Sequence, residues 1–253
     1  MMKCGFVIPV YNHGSALEDV VKNLVPFNYD IIIIDDGNDE KNKAFINDVA
    51  QKYSLVTLVT RPANGGKGQA MKDGVRKAHE MGITHILQID SDGQHDAGRV
   101  GYFWEQAQKH PAAIICGYPE YDKDAPKKRV NGRKVANGWI HFVTLSKEIV
   151  DAMIGFRVYP VDPYIKVLDS GTYIDSRMGY DIDILVHMYW IGVPVISEPV
   201  KVSYPSDGVS NFRYFRDTMR ISGTYTRLCL GMIPRLPKLI AMNIKRNKAA
   251  KRQ

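Results

Sequence analysis

Two carboxylates one residue apart, Asp90 and Asp92 in Gln88-Ile89-Asp90-Ser91-Asp92-Gly93-Gln94, close an apolar run. Their oxygens suit a hard divalent cation. Alternate residues of an extended chain point the same way, so both acids can serve one ion or divide a ribose and a metal between them, with Gln94 at the next step. Mg²⁺ and Mn²⁺ keep substrate phosphates in their coordination shell, which makes one or two protein carboxylates enough. The same spacing also occurs in ordinary surface turns. A calcium loop is excluded, because Gly93 stands fourth where the sixth position needs it and Gly101 replaces the bidentate Glu.

Other chemistry-bearing residues stand where apolar runs end. Asp35 and Asp36 follow four isoleucines and must emerge at the sheet's edge, since acids are costly to bury without partners. There they can accept from a nucleobase imide and a ribose hydroxyl, or cap the next helix. Asn64-Gly65-Gly66-Lys67-Gly68 opens a helix, and its glycines permit close backbone approach to an anion. It is no Walker loop, because Arg61 and Gly68 stand where Gly and Ser or Thr are needed. No Gly-x-Gly-x-x-Gly follows the first strand, so the dinucleotide signal is missing.

The elements that must position these groups alternate. Strands are expected at Cys4–Pro9, Asp30–Asp35, Leu55–Thr60, His85–Ile89 and Ala113–Gly117, with helices at Ala16–Val25, Lys41–Tyr53, Lys67–Met81 and Val100–Lys109. That succession predicts an α/β fold with a mostly parallel, doubly wound sheet and helices on both faces. A charged loop is expected at Tyr118–Arg129 and a helix at Asn131–Ser146. Further on, the pattern predicts an extended Phe156–Pro163, a helix at Met178–Trp190 and strand at Val193–Tyr204.

The chain has 253 residues, enough for one large domain or a core with an appendage. Cys4, Cys116 and Cys229 show neither paired nor metal-ligand spacing, which fits a reducing cytosol, and the amino terminus carries no leader pattern. Net charge is +7, but from Phe212 onward eleven Lys and Arg face Asp217 alone, so that segment holds +10 and the rest is slightly acidic. Between Ile221 and Met242 the apolar run is broken by Arg227, Pro234, Arg235, Pro237 and Lys238, a poor bilayer span but a suitable interfacial helix on anionic lipid.

In order, Ile8-Pro9-Val10-Tyr11-Asn12, Asp35-Asp36-Gly37, Asn64-Gly65-Gly66-Lys67-Gly68, Asp90-Ser91-Asp92-Gly93-Gln94 and Gly155-Phe156-Arg157 resemble the inverting family 2 glycosyltransferases of the GT-A fold. The resemblance covers roughly residues 4–205. Gln94, two places after the second Asp, is shared with polyprenyl-phosphate sugar transferases resembling dolichol-phosphate mannose synthase. Val202 to Arg213 is similar to a bacterial branch associated with aryl-polyene and glycolipid assembly.

The resemblance implies roles position by position. Pro9, Tyr11, His13, Asp36, Lys67 and Asp90 fall on the nucleotide side, although His13 stands where many relatives have an acid. Asp90, Asp92 and Gln94 fall on Mg²⁺ or Mn²⁺. Asp181, in Gly179-Tyr180-Asp181-Ile182-Asp183, occupies the base position, with Tyr180 replacing the usual Glu. Arg129, Arg133 and Arg157 fall on the acceptor side. An Arg soon after Gly117, usual in the lipid-phosphate branch, is replaced by Tyr118-Pro119, which leaves a glycolipid hydroxyl open beside a polyprenyl phosphate.

The resulting expectation is a GT-A domain over 1–211, with a donor half 1–117 and an acceptor half 118–211, and a basic membrane-associating tail over 212–253. Its activity is transfer of a sugar from a nucleoside diphosphate sugar to a lipid-linked acceptor, by a peripheral protein at the cytosolic face of an anionic membrane. No nucleic-acid module is present. A sugar-nucleotide pyrophosphorylase and a silent sugar-nucleotide or lipid-binding module are the alternatives. The first usually has a glycine-rich basic loop after the first strand, where this chain has Val10-Tyr11-Asn12-His13.

Overall fold

The computed structural model describes residues 2–93, 97–120, 127–201 and 214–250, without the side chains of 127–131, 214–215 and 249–250. Gln94, the Arg129 side chain and the 202–213 motif therefore lie outside the described residues.

Strand β2 (Asp30–Asp35) sets the plan. Side chains alternate along a strand, so Ile31 and Ile33 enter one core while Ile32 and Ile34 enter the other. The sheet is seven-stranded in the order β3-β2-β1-β4-β6-β5-β7. The other strands are β1 (Cys4–Val10), β3 (Val56–Thr60), β4 (His85–Gln88), β5 (Ile114–Glu120), β6 (Arg157–Pro160) and β7 (Val195–Lys201). β6 runs antiparallel to both neighbours, and the other pairings are parallel.

Helices α1 (Gly14–Leu24), α2 (Glu40–Lys52) and α4 (Val100–Lys109) cover one face through residues such as Leu17, Ile46 and Phe103. On the other lie α3 (Lys67–Glu80), α5 (Lys127–Thr144), α6 (Val161–Asp169), α7 (Tyr180–Trp190), α8 (Tyr214–Met232) and α9 (Leu236–Ala250). Each buried Ile or Leu contributes roughly 1.5–3 kcal/mol, which explains why the two cores need near-continuous apolar strands between them.

Two expectations change. The stretch expected to be extended through Pro163 turns into α6 at Val161. Pro163 falls in the first helical turn, where its missing N–H would have no partner anyway. Of the expected loop after Gly117, residues 118–120 belong to β5 and residues 127–129 to α5.

The segment after Phe212 is joined to the body through α8 and α9. Tyr225, Leu228, Met232 and Leu239 share a core with α7, and Asn243 donates to the carbonyls of Thr144 and Leu145 while accepting from Tyr189. Pro234, at the start of a short 3₁₀ turn, separates the two helices. No helix among the described residues is long and apolar enough to cross a membrane.

Candidate active site

The order β2-β1-β4 brings the carboxyl ends of three strands side by side, and with them Asp36, Tyr11 and Asp90. Asn38 ties the first two ends together: its Nδ2 donates to the Val10 carbonyl at 2.9 Å and to Asp35 Oδ1 at 2.7 Å. Its Oδ1 accepts from the Asn12 amide, where the chain passes through a left-handed turn (φ 62°). Before that turn Pro9 is buried within β1 and Tyr11 is 38% exposed, and after it His13 is half-buried at the start of α1.

Asp36 is buried and already rich in donors. Asn64 Nδ2 donates to it at 3.0 Å, the amides of Gly65 and Gly66 at 2.9 and 2.8 Å, and Arg61 forms an ion pair with it. The carboxylate thus holds the Asn64-to-Gly68 loop in the curved shape that opens α3. Neither Arg61 nor Asn64 carries an assigned role in the sequence reading. Only the meeting of the β2 end with the loop after β3 shows their use.

Lys67 is the centre of the site. Its ammonium lies 2.8 Å from Asp90 Oδ1 and 3.0 Å from Asp181 Oδ2. Burial by itself would depress this lysine, but the charges of Asp181 and Asp90 more than offset it and hold its pKa above the ordinary range. The backbone of the Gly155-Phe156-Arg157 motif passes directly over the pair: a Cβ at Gly155 would lie 2.6 Å from Lys67 Nζ and 2.8 Å from Asp90 Oδ2.

Asp181 is gripped from the sheet side. Gln88, the last residue of β4, donates from Nε2 to Asp181 Oδ1 at 2.9 Å, and Arg157, its cross-strand partner on β6, donates from Nη1 to the Asp181 carbonyl at 2.6 Å. Arg157 also donates to the Tyr159 hydroxyl at 3.0 Å and has no exposed surface, so it sits behind Asp181 and not on an open acceptor path. Burial pushes Tyr159 up to about 12. Gln88 likewise had no assigned role, and its signal is a polar side chain inside an apolar run, which requires a partner.

Arg133 donates to Asp151 at 2.8 Å. Asp151 in turn accepts from the amides of Met153 and Ile154, so Arg133 braces the segment leading to Gly155. Structure thus brings together Tyr11, His13, Asp36, Lys67, Asp90, Asp92 and Asp181 around three strand ends, and it places Arg133 and Arg157 in supporting positions.

Asp90 and Asp92, both partly exposed, line a cavity of about 290 Å³ with Asp19, Asn23, Gly93 and Phe156. No group of three or more His, Cys, Asp or Glu able to hold a metal occurs among the described residues. An all-oxygen pair of carboxylates beside an open cavity fits a Mg²⁺ or Mn²⁺ ion that completes its shell with substrate phosphates.

The chain is 26% identical over 210 residues to the dolichyl-phosphate beta-glucosyltransferase of Dictyostelium discoideum, covering 75% of this chain and 63% of that one. It therefore spans less than two thirds of that relative's length. It is 25% identical over 169 residues to the UDP-N-acetylglucosamine–dolichyl-phosphate N-acetylglucosaminyltransferase of Methanococcus voltae, covering 60% and 67%. Among solved structures it is similar to glucosyl-3-phosphoglycerate synthase of Mycobacterium tuberculosis in complex with Mn²⁺, UDP-glucose and phosphoglyceric acid. That likeness has a TM-score of 0.66 at 14% identity and covers 91% of this chain and 79% of that one. The fold is GT-A. Residues 6–168 match the model of glycosyl transferase family 2, and the chain belongs to that family.

Proposed function

We propose that this chain is a metal-dependent inverting transferase that moves a sugar from a nucleoside diphosphate sugar to a lipid-linked acceptor at the cytosolic membrane face. The observation that carries this reading is Lys67 held between Asp90 and Asp181, which sets a donor-side and an acceptor-side carboxylate on either side of one cation.

Tyr11 and His13, in the turn after β1 whose end holds Pro9, would border the nucleobase. Asp36 would reach it by exchanging one of its loop donors, and Asp90 would take the ribose or the metal. A Mg²⁺ or Mn²⁺ ion on Asp90, Asp92 and Gln94 would neutralise the diphosphate. Lys67 supplies a fixed positive charge where the leaving diphosphate gathers negative charge, in a site that needs no reorganisation. The acceptor oxygen forms the new bond to the anomeric carbon, and the old bond's electron pair leaves with the nucleoside diphosphate from the opposite face. For a hydroxyl acceptor, the proton goes to Asp181. A polyprenyl phosphate is already anionic, and Asp181 then orients it. Arg129 would meet the acceptor's anionic group, with Arg133 held on Asp151 behind it.

The membrane part rests on two surfaces. α5 has no acid in its length and exposes Val135, Trp139 and Phe142 at helical spacing, while α9 exposes Ile240 and Ile244 among Lys238, Lys245 and Lys248. The deciding experiment is calorimetric titration with UDP-, GDP- and dTDP-sugars, with and without Mn²⁺, followed by transfer to a polyprenyl phosphate and to a glycolipid. Metal-dependent binding of one donor and formation of a sugar-lipid product are expected. Absence of donor binding in both conditions would favour a silent module.

A further inference from the structure

Two acids stand one residue apart in the first turn of α7, and a helix carries such residues to nearly opposite sides. Asp181 faces the sheet and Lys67. Asp183 faces the other way, is fully buried, and accepts at Oδ2 from Arg227 Nη2 and from the Asp175 amide, both at 2.8 Å. Arg227 belongs to α8, in the basic segment expected to associate with a membrane. Its guanidinium stacks on Tyr173, 4.5 Å from the ring centroid.

The segment entering α7 is caught between α8 and the loop before α3. Gly179 has no room for a Cβ against Thr224 of α8 and Asp175. On the other side Arg177 donates to Asn64 at 3.0 Å and the Gln69 amide donates to the Ser176 carbonyl at 3.0 Å. A path of contacts thus runs from α8 through Asp183 and Asp175 to the loop that carries Lys67.

From this geometry we infer that Arg227 is a positioning residue for Asp181: the tail helix sets the angle of the first turn of α7, and attachment and catalysis share one structural element. The inference rests on the transferase reading for its catalytic consequence, and its structural part stands without it. Asp181 and Asp183 are carried by one rigid turn, so a turn released at Asp183 swings Asp181 away from Lys67. Misplacement of a reacting group by about 1 Å costs on the order of 10²-fold in rate.

The test uses the full chain in detergent, with the donor identified by titration and geranyl phosphate as acceptor, so that vesicle attachment plays no part. Arg227→Gln should lower kcat by about 10–10²-fold while donor KM stays as in the parent, and Arg227→Lys should recover most of the loss. A folded Arg227→Gln protein with parental kcat, or one in which KM and kcat fail together with Tm, overturns the inference. Leaving Asp183 buried without the Arg227 charge is costly even with His187 3.3 Å from its other oxygen, so the neutral pair Asp183→Asn with Arg227→Gln is measured as well, with the same split expected.

A second readout needs no substrate. In ¹H–¹⁵N spectra of lysine ammonium groups, the Lys67 signal, sheltered by two carboxylates, should shift or broaden in Arg227→Gln, and an unchanged signal rejects the coupling. Failure of the parent protein to transfer to any acceptor would sink the proposed activity, whereas the Lys67 signal decides the coupling by itself.

Discussion

Lys67 opens α3, Asp181 stands in the first turn of α7, and their charged atoms meet at 3.0 Å. The same ammonium holds Asp90 at 2.8 Å, so one cation balances two acids. Asp181→Asn should keep donor affinity, because the groups around Asp36 and Tyr11 are untouched, and lose transfer to a hydroxyl acceptor by about 10²–10⁴-fold. Lys67→Met leaves two carboxylates facing each other and should weaken both donor binding and turnover, the latter by about 10²–10³-fold. Calorimetry and single-turnover transfer separate these effects. Parental turnover in Asp181→Asn would end its assignment as base.

Asp92 lines the cavity beside Asp90. Asp92→Ala should abolish the difference in donor affinity with and without Mn²⁺, and chelation with EDTA should bring the parent to the same level. Retained metal dependence in the variant would move the ion elsewhere.

Two glycines near Lys67 should respond differently to one added methyl group. At Gly68 a Cβ would meet the Asp175 carbonyl and Tyr180 Cβ, both at 2.6 Å, and neither can yield without moving the entry to α7. Gly68→Ala should cost roughly 1–3 kcal/mol of stability in urea unfolding. At Gly155 the nearest atom is Lys67 Nζ, the end of a flexible side chain. Gly155→Ala should therefore spare most of the stability and lower transfer by dislodging Lys67 from Asp90. Equal stability losses at both sites would contradict this distinction.

Burial pushes the thiols of Cys4 and Cys116 from 9.0 up to about 11. Below pH 9 both states keep their protons, and these thiols add no slope. Between pH 9 and 11 the unfolded thiols ionise first, the unfolded state binds fewer protons, and stability falls as pH rises. Urea unfolding across that window should show the decline, with a shallower slope after Cys4→Ala with Cys116→Ala. An identical slope in that variant would assign the decline to other groups.

Trp139 is 45% exposed while Trp104 and Trp190 are 2% and 3% exposed, so it serves as a natural probe of α5. Vesicles rich in phosphatidylglycerol should blue-shift its emission and allow quenching by brominated lipid, whereas neutral phosphatidylcholine should do neither. Co-flotation with anionic vesicles and no change at Trp139 would confine contact to other surfaces.

How far the sequence reached depended on the range of each interaction. Four consecutive isoleucines announce a strand buried on both faces, and acids or glycines just after apolar runs announce ligand-facing strand ends, because both signals are written in neighbouring residues. Pro163 misled for the same local reason: it reads as a strand-breaker, yet it also suits a helix's first turn. α7 falls within the helix expected at Met178–Trp190, but with every residue from Tyr180 to Trp190 buried it has no apolar stripe to say which side meets the sheet.

By itself, then, the sequence determined the alternating α/β plan, the strand-end motifs and the candidate acids Asp36, Asp90, Asp92 and Asp181. Tertiary structure alone decided that Lys67 joins Asp90 to Asp181, that Gln88 and Arg157 grip Asp181 from adjacent strands, and that Arg227 of α8 neutralises Asp183. A buried charge states in sequence that it needs a partner, but sheet order, the reversed direction of β6 and helix packing choose which one, because those depend on contacts among segments far apart in the chain.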